Sequence, residues 1–366
     1  MPSCTAAASA RTGAMASWAE RWHDGHPLFR LLLPLGRLFE AVAARRRAAW
    51  RDGRRTPWRA PVPVIVVGNI TVGGTGKTPL TLALVEQLRA AGWRPGIVSR
   101  GYGGRATYPC LVLPDADAAV VGDEPLLLAR RSGVPVVVDP QRARGVRHLL
   151  AGADCDLVIC DDGLQHYALA RDIEIAVIDG RRGLGSGLPL PAGPLREPPS
   201  RLAEVDFRVI NGDWLAAGEP PAAAVTMLLE PGDWLPVATA GSTGPVAGTA
   251  IAAGAAARPA AAGQAPQPPA RVHAVAGIGH PPRFFTMLAA QGYAPVSHAF
   301  PDHHAYRAEE LRFTPSLPLV MTEKDAVKCA GIAPPDSWFV PVQAMLPADF
   351  WQALHSRLAD WRPSDA

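Results

Sequence analysis

Apolar residues along this chain follow two rhythms. Short, mostly apolar runs at Val64–Val67, Ile97-Val98, Val134–Val138, Leu157–Cys160, Ile175–Ile178 and Phe207–Ile210 have the length of buried strands. Between them, apolar positions recur at helical spacing, as in Leu80, Leu84, Val85 and Leu88, or Leu126 to Ala129. Strand and helix alternate, which predicts an α/β fold with a first domain over 61–212, its sheet closed by the Phe207 strand. A second α/β unit over 271–366 begins with the strand Val272–Ala276, a Gly/Pro turn and a helix bearing Phe284, Phe285 and Leu288. Residues 213–270 read as a linker with a low-complexity insertion, since Arg258 is the one charged residue between Pro236 and Ala270. Ahead of the first domain, Leu35, Leu38, Phe39 and Val42 recur at i, i+3, i+4 and i+7, predicting a helix with one greasy face within 15–60.

Composition refines this picture at the N-terminal end. With 366 residues, 48% hydrophobic and 19% charged, the chain has room for two folded cores. The net charge of +3 conceals ten arginines against four acids between Met15 and Ala60, a segment that also holds Trp18, Trp22, Trp50 and Trp58. Apolar anchors, tryptophan and clustered arginine suit a helix lying on an anionic membrane; the alternative is a helix packed on the catalytic domain with a solvated basic face. No run approaches the roughly 20 apolar residues of a bilayer span. Residues 1–14 read as a disordered extension, upstream of a start at Met15. Five cysteines with no C-x-x-C pair read as buried free thiols. No nucleic-acid partner is expected.

The candidate chemistry centres on Thr71-Val72-Gly73-Gly74-Thr75-Gly76-Lys77-Thr78, between the first strand and the first helix of the domain. Glycines let successive backbone N–H groups converge on phosphate, the helix N-terminus adds positive potential, Lys77 neutralises charge and Thr78 ligates magnesium. The spacing departs from G-x-x-x-x-G-K-[ST], because Thr71 stands where the first glycine belongs. Asp161 and Asp162 end a strand, the place where the magnesium of a nucleoside triphosphate finds its second protein contact. Asp123 and Glu124 open a helix, where capping alone could explain them. The loop from Gly180 to Pro199 carries Arg181, Arg182, Arg196 and Glu197, and titratable groups gather again from Phe300 to Tyr306.

Taken in order, Val67–Pro79, Ser99–Gly103, Gly122–Pro125, Asp161–His166, Leu195–Glu197, Pro301–His304 and Thr322–Asp325 resemble the tetraacyldisaccharide 4′-kinase family of lipid A synthesis. The resemblance runs from about Trp18 onward; the extra N-terminus and the insertion near 236–270 depart from it. It implies a P-loop NTPase-like α/β/α sandwich, a second, smaller α/β domain and an N-terminal amphipathic helix, with the active site in the cleft between the domains. It further implies ATP and Mg2+, an acylated glucosamine disaccharide phosphate as acceptor, and a peripheral location on the cytoplasmic face of the inner membrane. Asp123 is then the base, coupled to His303, which Asp302 orients; Arg196 serves phosphate and Glu197 metal. A P-loop ATPase switch fits less well, because Val72 stands where such proteins carry a lysine. Another small-molecule kinase with a soluble acceptor would leave the greasy helix unexplained.

Overall fold

The computed structural model describes residues 18–238 and 264–362, so the N-terminal extension and most of the low-complexity insertion lie outside the described residues. In chain order the elements are α1 (Trp18–His23), α2 (Leu33–Arg51), β1 (Val64–Gly68), α3 (Lys77–Ala90), β2 (Pro95–Ser99), β3 (Cys110–Leu111), α4 (Ala118–Val121) and α5 (Asp123–Ser132). Next come β4 (Val136–Val138), α6 (Arg142–Gly152), β5 (Leu157–Asp161), β6 (Ile173–Asp179), β7 (Phe207–Asn211), β8 (Ala224–Pro231) and β9 (Leu235–Pro236). After the insertion follow β10 (Arg271–Ala276), α7 (Pro281–Ala290), β11 (Ala294–Ala299), β12 (Leu319–Thr322), α8 (Glu323–Cys329), β13 (Ser337–Val340), β14 (Val342–Met345) and α9 (Ala348–Ala359).

A nine-stranded sheet of order β14-β8-β7-β6-β1-β5-β2-β4-β3 forms the first domain, parallel except for its two edge strands. β1, flanked by β5 and β6, is buried along its whole length, as the unbroken Val-Ile-Val-Val run requires. One face packs against α3, α5 and α9 through residues such as Leu84, Leu128 and Leu354; the other against α6 and the 195–205 segment through Val146, Leu149 and Leu202. This is the expected α/β/α sandwich. The second domain is a five-stranded sheet of order β11-β10-β12-β13-β9.

The sheets cross the boundaries expected at 212 and 271. The Phe207 strand is not the edge, because β8 and then β14 extend the sheet beyond it. The stretch expected as linker therefore supplies β8 to one sheet and β9 to the other, and the chain returns to the first domain at Pro341. Gly232 N–H donates to the Pro341 carbonyl at 2.8 Å, so the two crossings run side by side as an antiparallel ribbon.

α2 docks by a close approach at Gly36, where a Cβ would lie 3.1 Å from the Pro189 carbonyl, and by Arg47 facing Glu204 at 3.7 Å. Its greasy face points away from the domain: Leu31 of the preceding 3₁₀ turn is 76% exposed, Leu38 61% and Val42 60%. No helix among the described residues is long and apolar enough to cross a membrane.

Because Leu354 of α9 is fully buried in the first domain's core, Leu354→Ala is expected to cost about 2–5 kcal/mol of stability. Urea unfolding followed by circular dichroism measures it; an independent C-terminal domain over 271–366 would instead leave the nucleotide-binding lobe unaffected.

Candidate functional site

The turn from β1 into α3 is fixed by the protein's own hydrogen bonds. Gly73 and Gly76 adopt φ of +115° and +96°, and a Cβ on Gly76 would stand 2.4 Å from Asn211 Nδ2. The Asn69 amide donates to the Gly73 carbonyl and Thr75 Oγ1, both at 3.2 Å, while Asn211 Nδ2 donates to the Thr75 carbonyl at 3.0 Å. Residues 71–76 thus form the loop and Lys77 and Thr78 open α3, as the phosphate-binding reading requires.

Charged groups surround the end of this loop. Lys77 Nζ lies 3.5 Å from Asp162, and Arg196 Nη1 donates to the same carboxylate at 3.1 Å. Arg196 is brought there by its backbone N–H, which donates to the Ile70 carbonyl at 2.7 Å. Asp161 is buried at the end of β5, near the hydroxyls of Thr81 and Ser99, each at 3.4 Å. Beneath both acids Arg142, 2% exposed, donates to the carbonyls of Asp139, Asp161 and Asp162. Burial, with the nearby Glu124 charge, pushes the Asp161 carboxyl up to about 6, which Lys77 only partly offsets. Burial also disfavours ionised Asp162, but Lys77 and Arg196 outweigh it and hold that carboxyl well below the usual range. Glu197 is not joined to this group: its carboxylate accepts from Tyr167 Oη and faces Arg201 Nε at 3.3 Å. Those partners would have to release it before it could reach a metal.

The second domain closes over the other side. Arg182 donates to the Gly279 carbonyl at 3.0 Å, and Arg283 to Asn211 Oδ1 at 2.8 Å, so the Gly277–Gly279 turn abuts the phosphate loop. At the start of α5, Asp123 is buried and meets His303 Nδ1 at 2.9 and 3.0 Å. Its place after Gly122 does not reduce it to a cap: Oδ1 accepts the Glu124 N–H at 2.9 Å while the carboxylate also faces Lys324 at 3.9 Å and Lys328 at 4.0 Å. Burial works against Asp123 ionisation, yet the His303 hydrogen bond and both lysines bring its carboxyl below the ordinary range. His303 is raised, chiefly by the bond to Asp123 and against burial and Lys324.

Asp302 acts differently from the expectation. It accepts hydrogen bonds from the His303 backbone N–H and the Lys324 ammonium, both at 3.1 Å, while its carboxylate stands 3.9 Å from the ring. Two of the four described non-glycine residues with positive φ are Asp162 and His303, so backbone strain gathers where the chemistry is expected. A cavity of about 540 Å³ opens on the far side of Arg182, walled by Leu184, Leu202 and Trp214, and holds none of the expected site residues.

The sequence profile of tetraacyldisaccharide-1-P 4′-kinases, LpxK, matches residues 28–359. This chain belongs to the tetraacyldisaccharide 4′-kinase family. Similar members include the tetraacyldisaccharide 4′-kinases of Stenotrophomonas maltophilia, 50% identical over 94% of this chain and 97% of that one, and of Alkalilimnicola ehrlichii, 53% identical over 90% and 92%. The crystal structure of LpxK from Aquifex aeolicus in complex with ATP superposes with a TM-score of 0.70 at 25% identity, covering 90% of this chain and 99% of that one.

Within this family frame the sequence reading passed over Asn211, Arg142, Arg283 and Lys324. Each acts through a partner 19 to 200 positions away, from Arg142 on Asp161 to Lys324 on Glu124, and spacing along the chain carries no sign of it. Lys324 lies within Thr322–Asp325, where a charged residue opening a helix just after a strand is the sequence signal.

The raised Asp161 carboxyl gives a signed stability prediction. Its folded value lies above the unfolded one, so folding carries no such penalty below about pH 4, and the penalty grows as pH rises through about 6. Asp161→Asn is expected to stabilise the nucleotide-free protein by on the order of 1–3 kcal/mol at pH 7.5 and by little near pH 4. Urea titrations at the two pH values measure the difference.

Proposed function

We infer that the chain transfers the γ-phosphate of ATP to the 4′-hydroxyl of a tetraacyldisaccharide 1-phosphate, in lipid A synthesis. The observation that carries the mechanism is the meeting of Asp123 with His303 across the cleft from the phosphate loop, at 2.9 Å. Loop amides 72–78 and Lys77 hold the triphosphate, and Arg196, standing beside Lys77 on the same carboxylate, reaches its outer oxygens. Asp123 takes the proton of the sugar hydroxyl; His303, donating from Nδ1, keeps the carboxylate turned toward it. Asp302 fixes the backbone at His303.

The donor set near the loop suits a divalent cation. Asp161, a carboxylate raised by burial and then by the Glu124 charge, is a site whose ionised form a cation would stabilise. Among the described residues no preformed cage of three His, Cys, Asp or Glu exists, which agrees with magnesium held by one or two protein groups plus phosphate oxygens. Thr78 with Asp161 or Asp162 would hold it, and the ion would supply neutralisation of the charge that develops during phosphoryl transfer. Glu197 instead braces Tyr167 and Arg201.

In this reading the enzyme is a peripheral protein of the cytoplasmic surface of the inner membrane, attached through its N-terminal segment. Its support is the outward row of Leu28, Leu31, Leu35, Leu38 and Val42, with Arg45, Arg46, Arg51, Arg54 and Arg55 following. An acceptor with four acyl chains stays in the bilayer, so the kinase must come to it.

Asp123→Asn and His303→Ala are each expected to lower kcat about 10²–10⁴-fold with little change in the KM for ATP, measured with labelled ATP and detergent-dispersed acceptor. Transfer at the wild-type rate in both variants would remove the pair from the mechanism. Replacing Leu31 and Leu38 together by glutamate is expected to weaken sedimentation with phosphatidylglycerol vesicles at least about tenfold, while phosphorylation of a deacylated acceptor stays unchanged.

A further inference from the structure

Among the described residues, Lys324, the second residue of α8, is the cation that touches the far side of the His303 ring. Its ammonium lies 3.0 Å from Glu124 Oε1 in the first domain, 3.1 Å from Asp302 Oδ1 and 3.3 Å from His303 Nε2. A lysine has three donors and no acceptor. The contact with Nε2 is therefore a hydrogen bond only if that nitrogen carries a lone pair, which puts the His303 proton on Nδ1, facing Asp123. The two carboxylates on either side hold the ammonium in place and, with Asp123, keep it protonated: burial opposes its charge, but the three acids outweigh burial.

We propose that Lys324 is a positioning residue for phosphoryl transfer: by donating to His303 Nε2 it selects the Nδ1–H tautomer and opposes protonation of Nε2, leaving Asp123 as the proton acceptor. The inference rests on the Asp123–His303 reading above. The groups facing His303 from each neighbouring element are Asp123 from α5, Lys324 from α8, the Tyr102 ring at 5.2 Å from the loop after β2, and Asp302 from its own loop. Lys328 reaches it through Asp123, and Glu124 through Lys324, whereas the adjacent His304 is turned to Glu310. Without Lys324, three carboxylates and one more distant lysine would remain. That balance favours the imidazolium, which would bind the Asp123 carboxylate as an ion pair and lower its affinity for the sugar proton. The step balances without a further reactant: one proton stays on Nδ1, the hydroxyl proton passes to Asp123, and the sugar oxygen bonds to the γ-phosphorus as its bond to the bridging oxygen breaks and ADP leaves.

The test is the pH dependence of kcat in Lys324→Met and Lys324→Arg, beside wild type. The methionine variant is expected to move the acid limb upward by about one pH unit, so that activity lost at pH 7 returns by about pH 9. The arginine variant keeps the charge and is expected to keep the limb close to wild type. An unmoved limb in Lys324→Met, or an equal displacement in Lys324→Arg, overturns the proposal. Imidazole ¹⁵N spectra of the wild-type protein, with His303 assigned by its loss in His303→Gln, give a second reading that requires neither turnover nor a foldable Lys324 variant. A neutral Nδ1–H ring at pH 8 supports the proposal, and an Nε2–H ring or an imidazolium contradicts it. Loss of the underlying reading is told apart, because Asp123→Asn and His303→Ala would then retain activity whatever the ¹⁵N spectra show.

Discussion

A buried carboxylate kept ionised across a domain boundary is the constraint on which this structure depends. Asp123 belongs to the nucleotide-binding domain, but the groups that stabilise its charge, His303, Lys324 and Lys328, all belong to the other. Pulling the domains apart would break these pairs and leave Asp123 with water in place of His303, Lys324 and Lys328. The Asp123–His303 pair is thus complete only where the domains meet. The Arg131–Glu323 pair, buried between α5 and α8 at 2.6 Å, and the Arg283–Asn211 bond at 2.8 Å serve the same closure from its two ends.

The connection between the domains is suited to this task. A single flexible tether would leave orientation free, whereas β8–β9 and β13–β14 cross together as paired strands, joined at Gly232 and Pro341. Pro341 lacks a backbone donor and sits where the chain changes sheets, so no ladder bond is lost there. On the opposite flank the N-terminal helix is held by one small residue, Gly36, and one ion pair, which leaves its apolar row unspent on the protein itself.

What could be read from sequence followed from how local each feature is. The phosphate loop, its strand and helix, and the acids at the end of β5 lie within short windows whose pattern states their conformation, and the structure forms them as expected. Family resemblance added the distant partners Asp123 and His303, which no spacing rule joins across 180 positions. The edge of the first sheet was misjudged because β8 alternates half-buried and exposed residues instead of showing an apolar run, and because β14 is four residues long and separated from β13 by a single proline. Asn211 and Arg142 are illegible for a different reason: each acts by donating to an atom supplied by folding, and a polar residue at a strand end or helix start reads the same whether or not that atom is there.

The most direct measurement of the central claim, that Asp123 and His303 work as one unit across the cleft, is a double-mutant cycle. Single-turnover phosphoryl transfer would be compared for wild type, Asp123→Asn, His303→Ala and the double variant, with saturating ATP and dispersed acceptor. The account predicts that the double variant is no slower than the slower single variant, since either change already disables the unit. Losses that multiply would mean that the two side chains contribute separately, and would contradict it.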